Sequence, residues 1–161
     1  MDRRQVSPDE VRRILSDHDR WMQTNHESDR QADFTNCDLR GFDFCSSNEI
    51  HPFHSMIFRG ADLSGVSMEK LHFKDCDFTN VKMDRSAILK VCFENCDFSK
   101  ANMSLSRMST TLMLDNQFYE TILSKSQFID CELVGNSFHG ASIDNVDTIK
   151  NAKYQGIVFL I

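Results

Sequence analysis

A large apolar residue recurs at every fifth position along most of the chain: Phe58, Leu63, Met68, Phe73, Phe78, Met83, Ile88, Phe93, Phe98 and Met103, then on through Phe118 and Phe138 to Ile143. Two residues before most of these stands a smaller one, such as Ala61, Val66, Val81, Cys96, Ser106 or Thr121. A period of five fits neither regular element. On a helix turning about 100° per residue, successive members scatter around the axis. On a straight strand, an odd period throws them onto alternate faces. A chain that turns a corner every five residues points both positions inward each time, so the pattern predicts a solenoid.

A second period counts its sides. Phe58, Phe78, Phe98, Phe118 and Phe138 stand 20 residues apart, which at five per side gives a four-sided coil. Identical rings in register can stack as a ladder. Upstream, Phe34, Leu39 and Phe44 keep the spacing of five, but Phe34 to Phe58 is 24 residues, so one coil carries four extra. With Phe53 on the fourth side, the excess falls near residues 46–52, a short polar loop containing Pro52.

The first segment has a different rhythm. Ser7-Pro8-Asp9-Glu10 reads as a helix start, with Ser as cap, Pro in the first turn and Glu three residues after the cap. Val11, Ile14, Leu15, His18, Trp21 and Met22 follow as one stripe at helical spacing. An open solenoid end exposes core and unpaired backbone and needs a cover. Residues 1–31 are therefore read as a capping helix with its linker, and residues 32–161 as the coiled region. At the other end, Gly156-Ile157-Val158-Phe159-Leu160-Ile161 is an apolar segment that either folds into the last coil or pairs with a second copy.

Composition removes several function classes. The net charge of -6, with 18 basic against 24 acidic residues, argues against direct nucleic-acid binding, which needs clustered Lys and Arg. No apolar run reaches the roughly 18 residues of a membrane span. Six cysteines would suggest a disulfide framework only in an extracellular setting. The opening residues lack the apolar stretch of a secretory signal, so reduced thiols and a cytoplasmic location are expected.

No catalytic or metal-binding constellation emerges. Cys37, Cys76, Cys96 and Cys131 occupy the small inward position and read as buried filler. Asn116 and Asn136 continue the column of Cys76 and Cys96, where a hydrogen-bonded ladder is expected. Cys45 and Cys92 fall on outward positions. The histidines have no metal spacing, and His18 reads as a packed, satisfied imidazole. The Asp before many core residues reads as a solvated corner residue. Nucleophile-elbow, Walker and dinucleotide motifs are missing, so the expectation is a protein without enzymatic activity, metal or cofactor.

Ala32-Asp33-Phe34-Thr35-Asn36, Cys37-Asp38-Leu39-Arg40-Gly41, Ala61-Asp62-Leu63-Ser64-Gly65, Cys76-Asp77-Phe78-Thr79-Asn80 and Cys96-Asp97-Phe98-Ser99-Lys100 resemble the A(D/N)LXX motif of the pentapeptide-repeat family. The resemblance covers about residues 32–148 and implies an all-β solenoid, a right-handed quadrilateral β-helix. It weakens where Met replaces Leu or Phe, and near Thr148, where the core position turns polar and the pattern restarts one place later at Ala152. Some members of the family dimerise end to end through C-terminal coils. That implies a homodimer here, built from Tyr154, Ile157, Val158, Phe159, Leu160 and Ile161. Other members mimic duplex DNA and bind DNA gyrase or topoisomerase IV in the manner of quinolone-resistance proteins.

Function is then expected on the outer faces. Numbering sides from Phe58 (one), Leu63 (two), Met68 (three) and Phe73 (four), sides one and two carry mixed charge: Asp33, Asp38, Asp62, Asp77, Asp84, Asp97, Glu120 and Asp144 beside Arg40, Arg59, Lys82, Arg85, Lys100 and Lys125. The later coils of sides three and four instead present Leu89, Cys92, Leu112, Leu114, Ile129, Val134 and Ile149. These should merge into an apolar patch of the kind that marks a protein partner site. Docking of another protein there is the leading expectation, with the DNA mimic as its alternative.

Overall fold

The computed structural model describes residues 3–27, 29–45, 53–144, 148–150 (backbone only) and 152–156. The expected insertion loop at 46–52 lies outside the described residues. Its consequence does not: Asp33 bridges Ile57 and Asp38 bridges Asp62, both 24 apart, whereas Ile57 bridges Asp77 at 20. Phe53 pairs with Phe73, so the four extra residues sit between Cys45 and Phe53 as the ladder required.

The coils stack as a parallel solenoid of about five turns beneath a single helix. Sides three and four form continuous parallel sheets. Side three stacks Ser67–Glu69, Ala87–Leu89, Arg107–Ser109, Gln127–Ile129 and Thr148–Lys150; side four stacks Phe53–His54, His72–Lys74, Cys92–Glu94, Leu112–Leu114, Glu132–Val134 and Lys153–Gln155. Sides one and two carry single-residue bridges and tight turns instead, as where Ala61 N–H donates to Phe58 O at 2.9 Å.

Every described corner from Ser55 to Gly140 is made by one residue of positive φ, recurring at intervals of five. At Gly135 the neighbouring coil crowds in: a Cβ there would lie 2.0 Å from Asp115 Oδ1, so the Asp115 side chain would have to move. Corners on sides one and two are further held by the Asp or Asn before the core residue. Asp33, Asp38, Asp62, Asp77 and Asp97 each accept the backbone N–H two residues on, at 2.8–3.1 Å. They cap the corners as well as meeting solvent: Asp33 is exposed, Asp38, Asp77 and Asp97 are half-buried, and Asp62 is 8 % exposed.

Inside, the phenylalanines stack as the period demands. From Phe58 through Phe138 the rings of side one lie 4.6–5.1 Å apart and within 4° of parallel. Phe53, Phe73 and Phe93 form a second stack on side four, and Phe73 and Phe93 meet the first edge-on. Ile143, expected in the core, is instead exposed.

The helix, α1 (Pro8–Gln23), begins as read: Glu10 N–H donates to Ser7 Oγ at 3.2 Å with Pro8 in the first turn. Val11 and His18 are buried under it, and Ile14 and Leu15 pack on the core. Preceding it, a strand not foreseen, β1 (Arg4–Gln5), pairs in parallel with β2 (Cys37–Asp38). It satisfies the exposed edge of the first coil. Among the described residues, no helix is long and apolar enough to cross a membrane.

Candidate interaction faces

Side four offers two outward columns. One runs His72, Cys92, Leu112, Glu132; the other runs Lys74, Glu94, Leu114, Val134. Leu112, Leu114 and Val134 are half-buried and adjacent, so the apolar patch exists in the fourth and fifth coils. It is bounded below by a charged cluster in which Lys74 Nζ meets Glu94 Oε1 at 2.6 Å and His72 Nε2 meets Glu94 Oε2 at 3.3 Å. The lysine holds the Glu94 carboxyl below its ordinary range. On side three, Leu89 and Ile129 are outward but separated by Ser109 in their column. The patch is therefore smaller than the sequence suggested.

One expected member is placed differently. Ile149 pairs in register with Phe128, the core column, and not with an outward position. The return from Phe128 to Ile149 takes 21 residues, so the extra residue enters before Thr148 and shifts the last coil. For the same reason Tyr154 pairs with Leu133. It is 50 % exposed. Ile157, Val158, Phe159, Leu160 and Ile161, the remaining candidates for dimerisation, lie outside the described residues.

The acids of sides one and two are largely engaged. Arg59 meets Asp77 at 2.6 Å, Arg40 meets Asp38 at 2.5 Å, Arg85 meets Asp84 at 2.7 Å and Arg3 meets Asp62 at 3.4 Å. The Arg40 guanidinium holds the Asp38 carboxyl well below the usual range. A negative band of unpaired carboxylates does not run along these faces among the described residues.

The buried polar groups serve the fold. Asn116 Nδ2 donates to Phe93 O and Asn136 Oδ1, and Asn136 Nδ2 donates to Met113 O, all at 2.9–3.0 Å. The Cys76 thiol donates to Phe53 O at 3.1 Å, and the Cys131 thiol to Met108 O at 3.4 Å. Burial pushes the Cys37 and Cys131 thiols up, and the neighbouring Cys76 together with burial pushes Cys96 far up. Thiols held protonated in this way are poor nucleophiles and poor ligands. No three His, Cys, Asp or Glu side chains among the described residues gather as a metal would require.

Sequence reasoning missed the exposed apolar residues on the other faces. Leu105 and Ile122 are 47 % and 44 % exposed. Tyr119 is also exposed and stacks on His139, with centroids 5.4 Å apart. The repeat frame alone contained a signal for Leu105, since it sits at a corner position otherwise given to polar residues or glycine.

Residues 56–87 match the family model described as Pentapeptide repeats (8 copies). No curated protein matches the chain. Among solved structures, HetL from the cyanobacterium Nostoc sp. strain PCC 7120, a pentapeptide repeat protein involved in heterocyst differentiation regulation, aligns with TM-score 0.46 at 16% identity over 62% of this chain and 44% of its own. The chain thus spans less than half the length of that protein. Rfr23 from the cyanobacterium Cyanothece 51142 aligns at 8% identity over 91% of this chain and 95% of its own, with TM-score 0.43. Full-length QnrB1, a plasmid-mediated fluoroquinolone resistance protein, aligns at 16% identity over 80% and 82%, with TM-score 0.36.

Proposed function

This chain is a pentapeptide-repeat protein, and on that premise we propose that it is a non-catalytic protein–protein interaction module acting through the outer faces of its solenoid. The observation that carries this reading is the cluster of Leu112, Leu114 and Val134 on side four, half-buried and adjacent on neighbouring strands. The core does not need them there, because Met113 and Leu133 already fill the inward positions of the same strands. A partner covering the cluster would remove apolar surface from water at about 25 cal/mol per Å². Leu89 and Ile129 extend the contact around the corner. A second copy, docking on the last coil at Tyr154, is a further arrangement this reading includes, in a cytoplasmic setting with reduced thiols.

The arginine partners of Asp38, Asp62, Asp77 and Asp84 weigh against the DNA-mimic alternative, since a duplex mimic needs unpaired negative charge along its length. One comparison tests both. A Leu114→Asp, Val134→Lys variant should fold normally yet lose the proteins that co-purify with the wild type from its native cells. Equal capture by variant and wild type would contradict the reading. So would wild-type protein that alters gyrase supercoiling at micromolar concentrations while the variant does the same.

A further inference from the structure

The edge between sides two and three carries a second surface that the apolar cluster on side four does not explain. At its centre is Leu105, with φ 59°. The left-handed region is costly for a side chain of this kind, and only Gly, Asn and Asp enter it readily. Among the described residues, Leu105 is the one apolar side chain at a positive-φ position; the others are polar, charged or glycine. Packing does not compensate, because Leu105 is 47 % exposed. The residues above and below it in the corner column are Lys125 and Arg85, set by the rung bonds from Leu105 N–H to Ser124 O and from Arg85 N–H to Ser104 O, both 3.0 Å. Neither the backbone nor the core accounts for a leucine here.

Ile122, 44 % exposed, stands at the other edge of side two, bridged to Asn102 and Ser142. Ser104 and Ser124 lie between the two apolar residues, with Ser104 Oγ on Asn102 Oδ1 at 2.7 Å. Cations surround the pair. Lys82, Arg85, Arg107 and Lys125 are all exposed. Arg85 meets Asp84, while Lys82, Arg107 and Lys125 have no ion-pair partner among the described residues. The other acids here are Asp144 and, at the corner before Ile122, Glu120, which is set against Lys100. The contrast with Arg40, Arg59 and Lys100, each set against an acid, is sharp on a chain whose net charge is -6.

We propose that this basic and apolar surface docks an acidic protein segment carrying an apolar side chain, which would cover Leu105 and Ile122 while its carboxylates meet Lys82, Arg107 and Lys125. The charge chooses an anionic partner. The leucine and isoleucine at the centre choose protein over nucleic acid, whose phosphates offer nothing apolar to cover them. The backbone of side two is already committed to its rungs, so side chains carry the recognition.

The test is a titration of the full chain followed by amide NMR. The probe is a synthetic acidic peptide containing leucines; its controls are the same peptide with leucines replaced by serine, and an oligothymidylate of equal charge. The leucine peptide should shift the signals of residues 105, 122 and 125, weaken as salt rises, and bind at least about tenfold less tightly to Leu105→Asn. That variant should also melt at a higher temperature than the wild type, because Asn tolerates the left-handed corner, so its weaker binding cannot come from damage to the fold. Shifts without localisation, unchanged affinity in Leu105→Asn, or tighter binding of the oligothymidylate would each overturn the proposal. Self-association centred on these residues without any probe would replace the acidic segment with a second copy. None of these outcomes depends on Leu112, Leu114 or Val134, so the side-four reading stands or falls separately.

Discussion

Ser86 sits in the small inward column of side three, where Ser106 and Ser126 donate to Met103 O and Leu123 O at 2.6 Å. Its own hydroxyl is buried with no partner. An unsatisfied buried polar group costs about 1–3 kcal/mol, and Val66 shows that the column accepts an apolar side chain. Ser86→Ala should therefore raise the stability measured by urea unfolding, by roughly 1 kcal/mol. A loss of that size would mean the hydroxyl is bonded after all. The sequence made the inward columns legible down to Asn116 and Asn136, because side-chain size alternates in a fixed frame. It did not reveal what the aspartates do. Asp62 or Asp97 before a core residue looks like a surface acid, and its bond to the N–H two residues on emerges only once the corner has folded.

At the scale of elements, α1 packs on the solenoid through Val11, Ile14 and Leu15, and a buried polar side chain also bonds it there. His18 accepts the Ala32 N–H at Nδ1, 3.1 Å away, and its Nε2 donates to His54 O at 2.7 Å. Only the neutral imidazole can do both. Burial lowers its pKa below the ordinary 6.5, outweighing the His54 carbonyl and Asp19, which raise it; the nearby His54 and His26 push the same way as burial. A depressed value in the folded state means the unfolded chain takes the proton more readily. The stability this group contributes is thus complete above about pH 6.5 and declines as pH falls toward the folded value. Protection of the α1 amides, meaning exchange corrected for its intrinsic pH dependence, should fall on acidification from neutral pH, and the fall should be absent in His18→Gln. Identical pH profiles would remove His18 from this role. The helix itself was legible from its cap and stripe. The two-residue β1 was not, because nothing in Arg4-Gln5 marks a strand, and its pairing is dictated by the open edge of the first coil.

Over the whole molecule, the 20-residue repeat of phenylalanine was enough to count the sides and locate the insertion. It failed where the repeat slips. The single extra residue before Thr148 moves Ile149 from an outward to a core register; the polar Thr148 and the restart at Ala152 marked the slip, but not its consequence for Ile149. The faces were legible only in part, since an apolar residue at a corner, such as Leu105, falls outside the strand columns. Stacked coils with a shared core should open cooperatively. Cys45 is exposed and Cys92 half-buried, while Cys37, Cys76, Cys96 and Cys131 are buried. A thiol reagent should label Cys45 at once, Cys92 more slowly, and the other four together at the rate of global unfolding. Labelling of Cys76 well before Cys131 would show that the coils open independently.

Everything above depends on the inward columns, and Phe98 lies at the middle of the longest one, fully buried between Phe78 and Phe118 at 4.8 and 5.1 Å. The most direct measurement is the equilibrium unfolding of Phe98→Ala in urea. A loss of roughly 3–5 kcal/mol is expected for a ring removed from a packed ladder. A loss below about 1 kcal/mol, the range of ordinary surface substitutions, would contradict the four-sided core and the assignment of faces built on it.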